Sequence, residues 1–133
     1  MSHQLIIKGS LRRARFTLDL DLAVDLSKRL GIVGATGAGK AALLRVIAGL
    51  ERDFSGRVEF CGEVWHDGDH FDRVPTHQRG LGVVFQDGRL LPGRTVESNL
   101  AFARQRARNV NAAVSYEALT EALDLNHLLS EPA

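Results

Sequence analysis

Residues 16–26 alternate strictly between apolar and polar positions. Phe16, Leu18, Leu20, Leu22, Val24 and Leu26 fall on one side, and Thr17, Asp19, Asp21, Ala23 and Asp25 on the other. Six apolar residues at period two predict a half-buried strand, antiparallel, with one face in water. Residues 4–7 read as a shorter first strand, which Lys8, Gly9 and Ser10 turn out of. The run LGIVG at 30–34 has another character, because it is short, wholly apolar and closed by glycine. That pattern predicts a strand buried on both faces, as in a parallel sheet.

From Gly39 the period lengthens to that of a helix. Leu43, Leu44, Val46, Ile47 and Leu50 recur at spacings of three and four and form one apolar stripe. Residues 57–61 and 63–65 predict two short strands around Gly62, and residues 66–77 predict a polar loop stopped by Pro75. A compact apolar strand is expected at 81–85. Thr95 is placed to cap a helix running through Asn99, Phe102 and Ala103. A last helix carries Tyr116, Leu119 and Leu123.

Composition narrows the function classes. The chain has 133 residues, 44% hydrophobic and 25% charged, which suits one globular domain rather than a disordered or fibrous chain. Its 17 basic and 16 acidic residues leave a net charge of +1, too small a field to imply nucleic acid as a partner. Cys61 is the only cysteine, so no intrachain disulfide forms and a reducing compartment is expected. The longest apolar runs fall far short of the ~20 residues that cross a bilayer, and the start lacks the pattern of a signal peptide. A soluble, cytoplasmic protein is the expectation.

The segment GATGAGKAAL at 34–43 carries the chemistry. It follows an apolar strand pattern and opens a helical one, which is where a phosphate-cradling loop sits. Gly34, Gly37 and Gly39 permit backbone conformations closed to other residues, so successive N–H groups can converge on one anion. Ala35, Thr36 and Ala38 complete the loop, the helix start adds the positive end of its dipole, and Lys40 supplies a full charge for the outer phosphates. The bland alternative is a glycine-rich turn with an exposed lysine. One position breaks the motif. The residue after the lysine should carry a hydroxyl to ligate Mg²⁺, and here it is Ala41, followed by Ala42. Phosphate binding survives that change, whereas placement of the metal suffers, and hydrolysis should lose more than binding.

With these motifs in view, the chain resembles the ATP-binding subunits of ABC transporters. LRVIAGL at 44–50 is similar to the helix after the family's phosphate loop, and FSGRV at 54–58 to its entry into the next strand. VVFQDGRLLP at 83–92 resembles the Q-loop, and TVESNL at 95–100 the helix that follows. The form of the Q-loop is most like the molybdate-importer branch, although relatives importing other small solutes share much of it. The resemblance implies an α/β fold, a P-loop nucleoside-triphosphatase core with a small antiparallel β subdomain, truncated before the signature motif. Residues 1–133 would then be a partial ABC-type ATP-binding domain, from the phosphate loop through the Q-loop to the start of the helical region.

Carried over residue by residue, positions 34–42 hold the nucleotide phosphates, and Gln86 sits near the γ-phosphate and Mg²⁺ as a metal contact. The implied cofactors are ATP and Mg²⁺, the latter weakened by Ala41. The implied partners are transmembrane permease subunits and a second ATP-binding subunit, at the inner face of the cell membrane. The family's aromatic residue for stacking on adenine has no clear counterpart. Phe16 reads as core, and Arg13 or Arg15 would stack only through a guanidinium plane. Walker B, the signature, the catalytic glutamate and the switch histidine are not in this sequence, so no catalytic residue is assigned. A competing reading from another class is a degenerate interaction module that docks on membrane subunits without using ATP.

Three lesser constellations have bland readings. HDGDH at 66–70 with Asp72 reads as a solvated loop or as a metal site. Arg104, Arg106 and Arg108 spread around a helix end, and Cys61 reads as a buried inert thiol.

Overall fold

The computed structural model describes residues 3–68, 70–107 and 115–133, with 70–72 as backbone only. They divide into two compact units, residues 1–83 and 84–133.

The N-terminal unit is built on a five-stranded antiparallel sheet. Its strands are β1 (Gln4–Arg13), β2 (Phe16–Asp25), β3 (Phe54–Phe60), β4 (Glu63–Asp67) and β5 (His70–Arg73), in the order β2-β1-β3-β4-β5. The alternation in β2 has the expected effect. Leu20 is buried, Leu18, Leu22 and Val24 lean on the core, and Asp19, Asp21 and Asp25 face water. Ile7, Leu11, Val58 and Trp65 are the most deeply buried large side chains. Burying each is worth about 1.5–3 kcal/mol against leaving it in water. Phe60 stacks on Trp65 with ring centroids 4.3 Å apart.

Several expectations need correction. Lys8, Gly9 and Ser10 do not turn out of β1. They stay in the ladder, with Gly9 opposite Leu20 on one side and Gly56 on the other. A Cβ on Gly9 would lie 2.2 Å from the Ser55 carbonyl oxygen, and one on Gly56 would lie 2.2 Å from that of Lys8. The glycines mark a close approach of two strands, a second use for a residue that otherwise signals a turn. The polar stretch after Trp65 continues as the end of β4 and as β5, because His66 finds buried partners. Cys61 is not buried. It occupies the β3–β4 hairpin turn, exposed, with φ +52, and Gly62 beside it has φ +86. Such a two-residue turn with both φ positive matches the twist of its strands.

The largest correction concerns residues 30–34, which the sequence marks as a strand of a parallel sheet, and 81–85, which it marks as a further apolar strand. Neither segment is a strand. Val33 is 98% exposed and Val84 97%, with Leu30 and Ile32 also on the surface. A strand exists only with a ladder partner, and among the described residues none hydrogen-bonds to these runs as a neighbouring strand. The antiparallel part of the expected α/β fold is therefore present, and a parallel P-loop sheet is absent among the described residues.

Helix α1 (Lys40–Ile47) packs Val46 into the core with Ala42, Leu43 and Ile47 beside it. Leu44 and Leu50, expected in the same apolar stripe, are exposed. In the C-terminal unit, α2 (Val96–Arg106) starts where Thr95 Oγ accepts the Ser98 N–H at 3.2 Å. The Asn99 side chain bonds both faces of the Leu91 peptide, accepting its N–H at 2.7 Å and donating to its carbonyl at 3.3 Å. Helix α3 (Tyr116–Ala122) is capped by Ser115, whose Oγ accepts the Ala118 N–H at 3.0 Å. The chain then returns to the start of α2, with the Val96 and Glu97 N–H groups donating to the Glu131 and Leu129 carbonyls. Among the described residues no helix is long and apolar enough to cross a membrane.

Candidate phosphate-binding loop

The loop at 34–39 is exposed up to Ala38, with Gly39 half-buried, and ends directly in α1. Gly37 has φ +84 and Gly39 φ +92, whereas Ala38 between them has no such value. Left-handed glycines alternating with ordinary residues give the backbone of a nest, in which consecutive N–H groups turn toward one side. Gly39 is fixed twice over. Its φ excludes a side chain, and a Cβ there would meet Leu18 of β2 at 3.2 Å. The half-buried strand thus holds the loop's last residue in place. Ala38 N–H closes a turn onto the Ala35 carbonyl at 3.1 Å, and Leu43 N–H begins the helix ladder on Gly39 at 2.9 Å.

Lys40 folds back over this loop. Its ammonium donates to the Gly34 carbonyl at 2.6 Å and to the Ala35 carbonyl at 2.7 Å. Two of its three donors are used, which anchors the charge at the loop's mouth and leaves one N–H for another acceptor. Ala41 follows with its methyl group exposed, while Ala42 packs on the core. A methyl group does not coordinate a cation, so this position does not fit the Mg²⁺ that such a loop ordinarily handles.

Two arginine contacts that sequence reasoning missed hold the other end of α1. Arg79, only 4% exposed, donates to the carbonyls of Val46 and Ile47 at the helix C-terminus and to those of Trp65 and Val74. Its guanidinium lies 5.4 Å from the Trp65 ring. Burial pushes it below the ordinary arginine range, and the nearby Arg73 charge adds to that. A cation at this end of a helix is favourable, because the last carbonyls carry the negative end of the dipole. Glu51, also buried, accepts from Arg13 of β1 and from Arg45 of α1, the latter at 2.7 Å. Arg13 also bonds Asp53 at 2.7 Å. Nothing in the sequence distinguishes Arg79 among fourteen scattered arginines.

The remaining sequence candidates are placed as follows. Gln86 lies exposed in the C-terminal unit. Phe16 is not core but 39% exposed at the start of β2, where the β1–β2 hairpin leaves no layer to cover it. Arg13 is occupied by Glu51 and Asp53 and is not free to stack on a base. His66 is structural. Its Nε2 lies 3.1 Å from the Phe54 carbonyl, and its Nδ1 accepts from Arg73 at 3.2 Å. Those partners assign the neutral ring with the proton on Nε2. Among the described residues no cluster of three His, Cys, Asp or Glu is placed to hold a metal. Arg108 lies outside the described residues.

The loop thus pivots on two left-handed glycines and runs into a helix headed by lysine. The ABC transporter family model matches residues 17–133, and the chain belongs to that family. It is 40% identical over 116 residues to Molybdenum import ATP-binding protein ModC 1 of Azotobacter vinelandii, covering 87% of this chain and 32% of that protein. It is 45% identical over 114 residues to the ModC protein of Methylococcus capsulatus, covering 86% and 31%. Fe(3+) ions import ATP-binding protein FbpC of Yersinia pestis bv. Antiqua is 39% identical over 109 residues, covering 78% and 31%. The chain spans about a third of the length of these relatives.

Proposed function

We propose that residues 34–42 bind the phosphates of ATP, as part of the energising subunit of an importer for a small solute. The observation that carries this reading is the joint geometry of Gly37, Gly39 and Lys40. Two left-handed glycines and an ammonium anchored on the Gly34 and Ala35 carbonyls stand at the start of one helix. The N–H groups of the loop and of the first helical turn would take the phosphate oxygens, and the ammonium would neutralise their outer charge. Molybdate is the solute that the names of the two ModC relatives favour, with the iron importer as a contrast.

On this reading residues 1–133 form part of an ABC-type ATP-binding domain, from the phosphate loop through the Q-loop to the start of the helical region. Gln86 contacts the γ-phosphate side of the nucleotide and passes its state to residues 87–95. The partners are transmembrane permease subunits and a second ATP-binding subunit, at the cytoplasmic face of the membrane. Mg²⁺ would supply charge neutralisation if bound, but with a methyl at 41 this chain's own grip on the nucleotide does not depend on it. The reading assigns residues 34–42 ATP binding.

Equilibrium titration with ATP tests the reading. The chain should bind, and Lys40→Ala should weaken binding at least about tenfold, the loss of one charge-assisted contact to phosphate. Binding of a membrane partner that persists with no measurable nucleotide affinity would favour the interaction-module reading instead.

A further inference from the structure

We infer that Arg94, Phe102 and Arg106 form a receptor for an acidic segment of a partner protein. Phe102 and Arg106 stand one turn apart on α2 and so share a face. Arg94, just before the Thr95 cap, reaches the same ring from the other direction along the chain. The Arg106 guanidinium carbon lies 3.6 Å from the Phe102 ring centroid, and that of Arg94 lies 5.3 Å from it. Both arginines are exposed, and among the described residues neither has a carboxylate within ion-pair distance.

Two like charges gathered at one ring repel each other. Arg106 is partly compensated by the carbonyls of the last turn of α2, where a cation is favourable. Arg94, at the opposite end, has no such compensation. The planar edge of a guanidinium grips a carboxylate through two parallel hydrogen bonds. An acidic side chain accepted between the two relieves the repulsion and covers the ring. Arginine and aromatic side chains are also what buried interface centres are enriched in. A lipid surface fits less well, since polybasic lipid sites gather roughly four to eight basic residues. The inference makes no use of the phosphate loop and goes beyond the nucleotide reading.

The test is an NMR titration of the full chain with a hexaglutamate peptide. The Arg94 and Arg106 side-chain and α2 amide signals should shift, with affinity falling as salt rises. Arg94→Gln, which lies outside the helix and leaves its cap intact, should weaken binding about tenfold, and the Arg94→Gln/Arg106→Gln double variant should abolish it. Arg106→Lys keeps the charge without the planar edge and should bind more weakly than the parent. Lys40→Ala should lose ATP and keep the peptide, so failure of either proposal is seen separately. Equal peptide binding by the double variant, absence of shifts on α2, or binding to phosphatidylglycerol vesicles with none to the peptide would each overturn the inference.

Discussion

A Cβ on Gly49 would stand 2.6 Å from the guanidinium carbon of Arg79. The helix that begins at the phosphate loop therefore ends in a contact that only glycine permits. Gly49 has φ +73, just past the Ala48 cap of α1, and Arg79 fills the space above it while holding the Val46 and Ile47 carbonyls. Gly49→Ala meets both a strained φ and a clash with a buried cation. We expect a loss of about 1–3 kcal/mol in chemical unfolding. An unchanged midpoint would mean that Arg79 is free to move aside and does not fix the helix end.

His66 predicts an acid sensitivity. Burial holds its pKa below the ordinary imidazole value of about 6.5, against the opposing pull of the Phe54 carbonyl, with the Arg73 and Arg79 charges adding to the depression. The folded state therefore binds fewer protons than the unfolded one, and stability rises with pH in that range. The contribution should be complete above about pH 6.5 and fall away as acid forces a proton onto Nδ1 against Arg73. Unfolding measured from pH 7.5 to 5 should show the loss, and His66→Gln should flatten it. A slope unchanged in that variant would place the acid-sensitive group elsewhere.

Position 41 is open to repair. Its methyl group is exposed at the start of α1, so Ala41→Ser should change stability by no more than about 0.5 kcal/mol. The hydroxyl restores a metal ligand beside the loop. ATP affinity measured with Mg²⁺ and again with EDTA should differ little in the parent chain. In Ala41→Ser the metal should tighten binding by about tenfold. A large Mg²⁺ effect in the parent would show that the missing hydroxyl is not limiting.

Exposed apolar side chains at Leu30, Val33 and Val84 predict self-association. Each lies in a run outside the sheet, and unpaired backbone beside such side chains is a template for another strand. Light scattering after size-exclusion chromatography should find oligomers at micromolar concentration, reduced by Val33→Asp. A monomer with a cooperative melt at the same concentration would contradict this.

Local chemistry was legible in the sequence wherever a short pattern decides it. The period-two run of β2, the Thr95 cap and a turn at Gly62 follow from neighbours within a few residues, although Cys61 reads as strand and proves to be turn. So do the left-handed conformations of Gly37 and Gly39, whereas Gly34, expected to need the same freedom, does not take a positive φ. What depends on residues far apart was not legible. The apolar run at 30–34 reads as a strand, yet pairing is a property of two segments, and a sequence window contains one. Gly9 reads as a turn because nothing local discloses that Gly56 lies opposite it. Arg79 and Glu51 look like surface charges until the fold brings carbonyls 32 and 33 residues away to the first and two arginines to the second. Family membership was recovered all the same, because the phosphate-loop and Q-loop segments are contiguous and need no tertiary information.

The amide resonances of residues 34–42 report directly on the proposed phosphate cradle. In a ¹⁵N-labelled chain, ATP added in the presence of EDTA should move the Gly37, Gly39 and Lys40 signals in a saturable way, and added Mg²⁺ should change them little. Signals at these positions that stay fixed while ATP is raised to millimolar concentration would contradict the account.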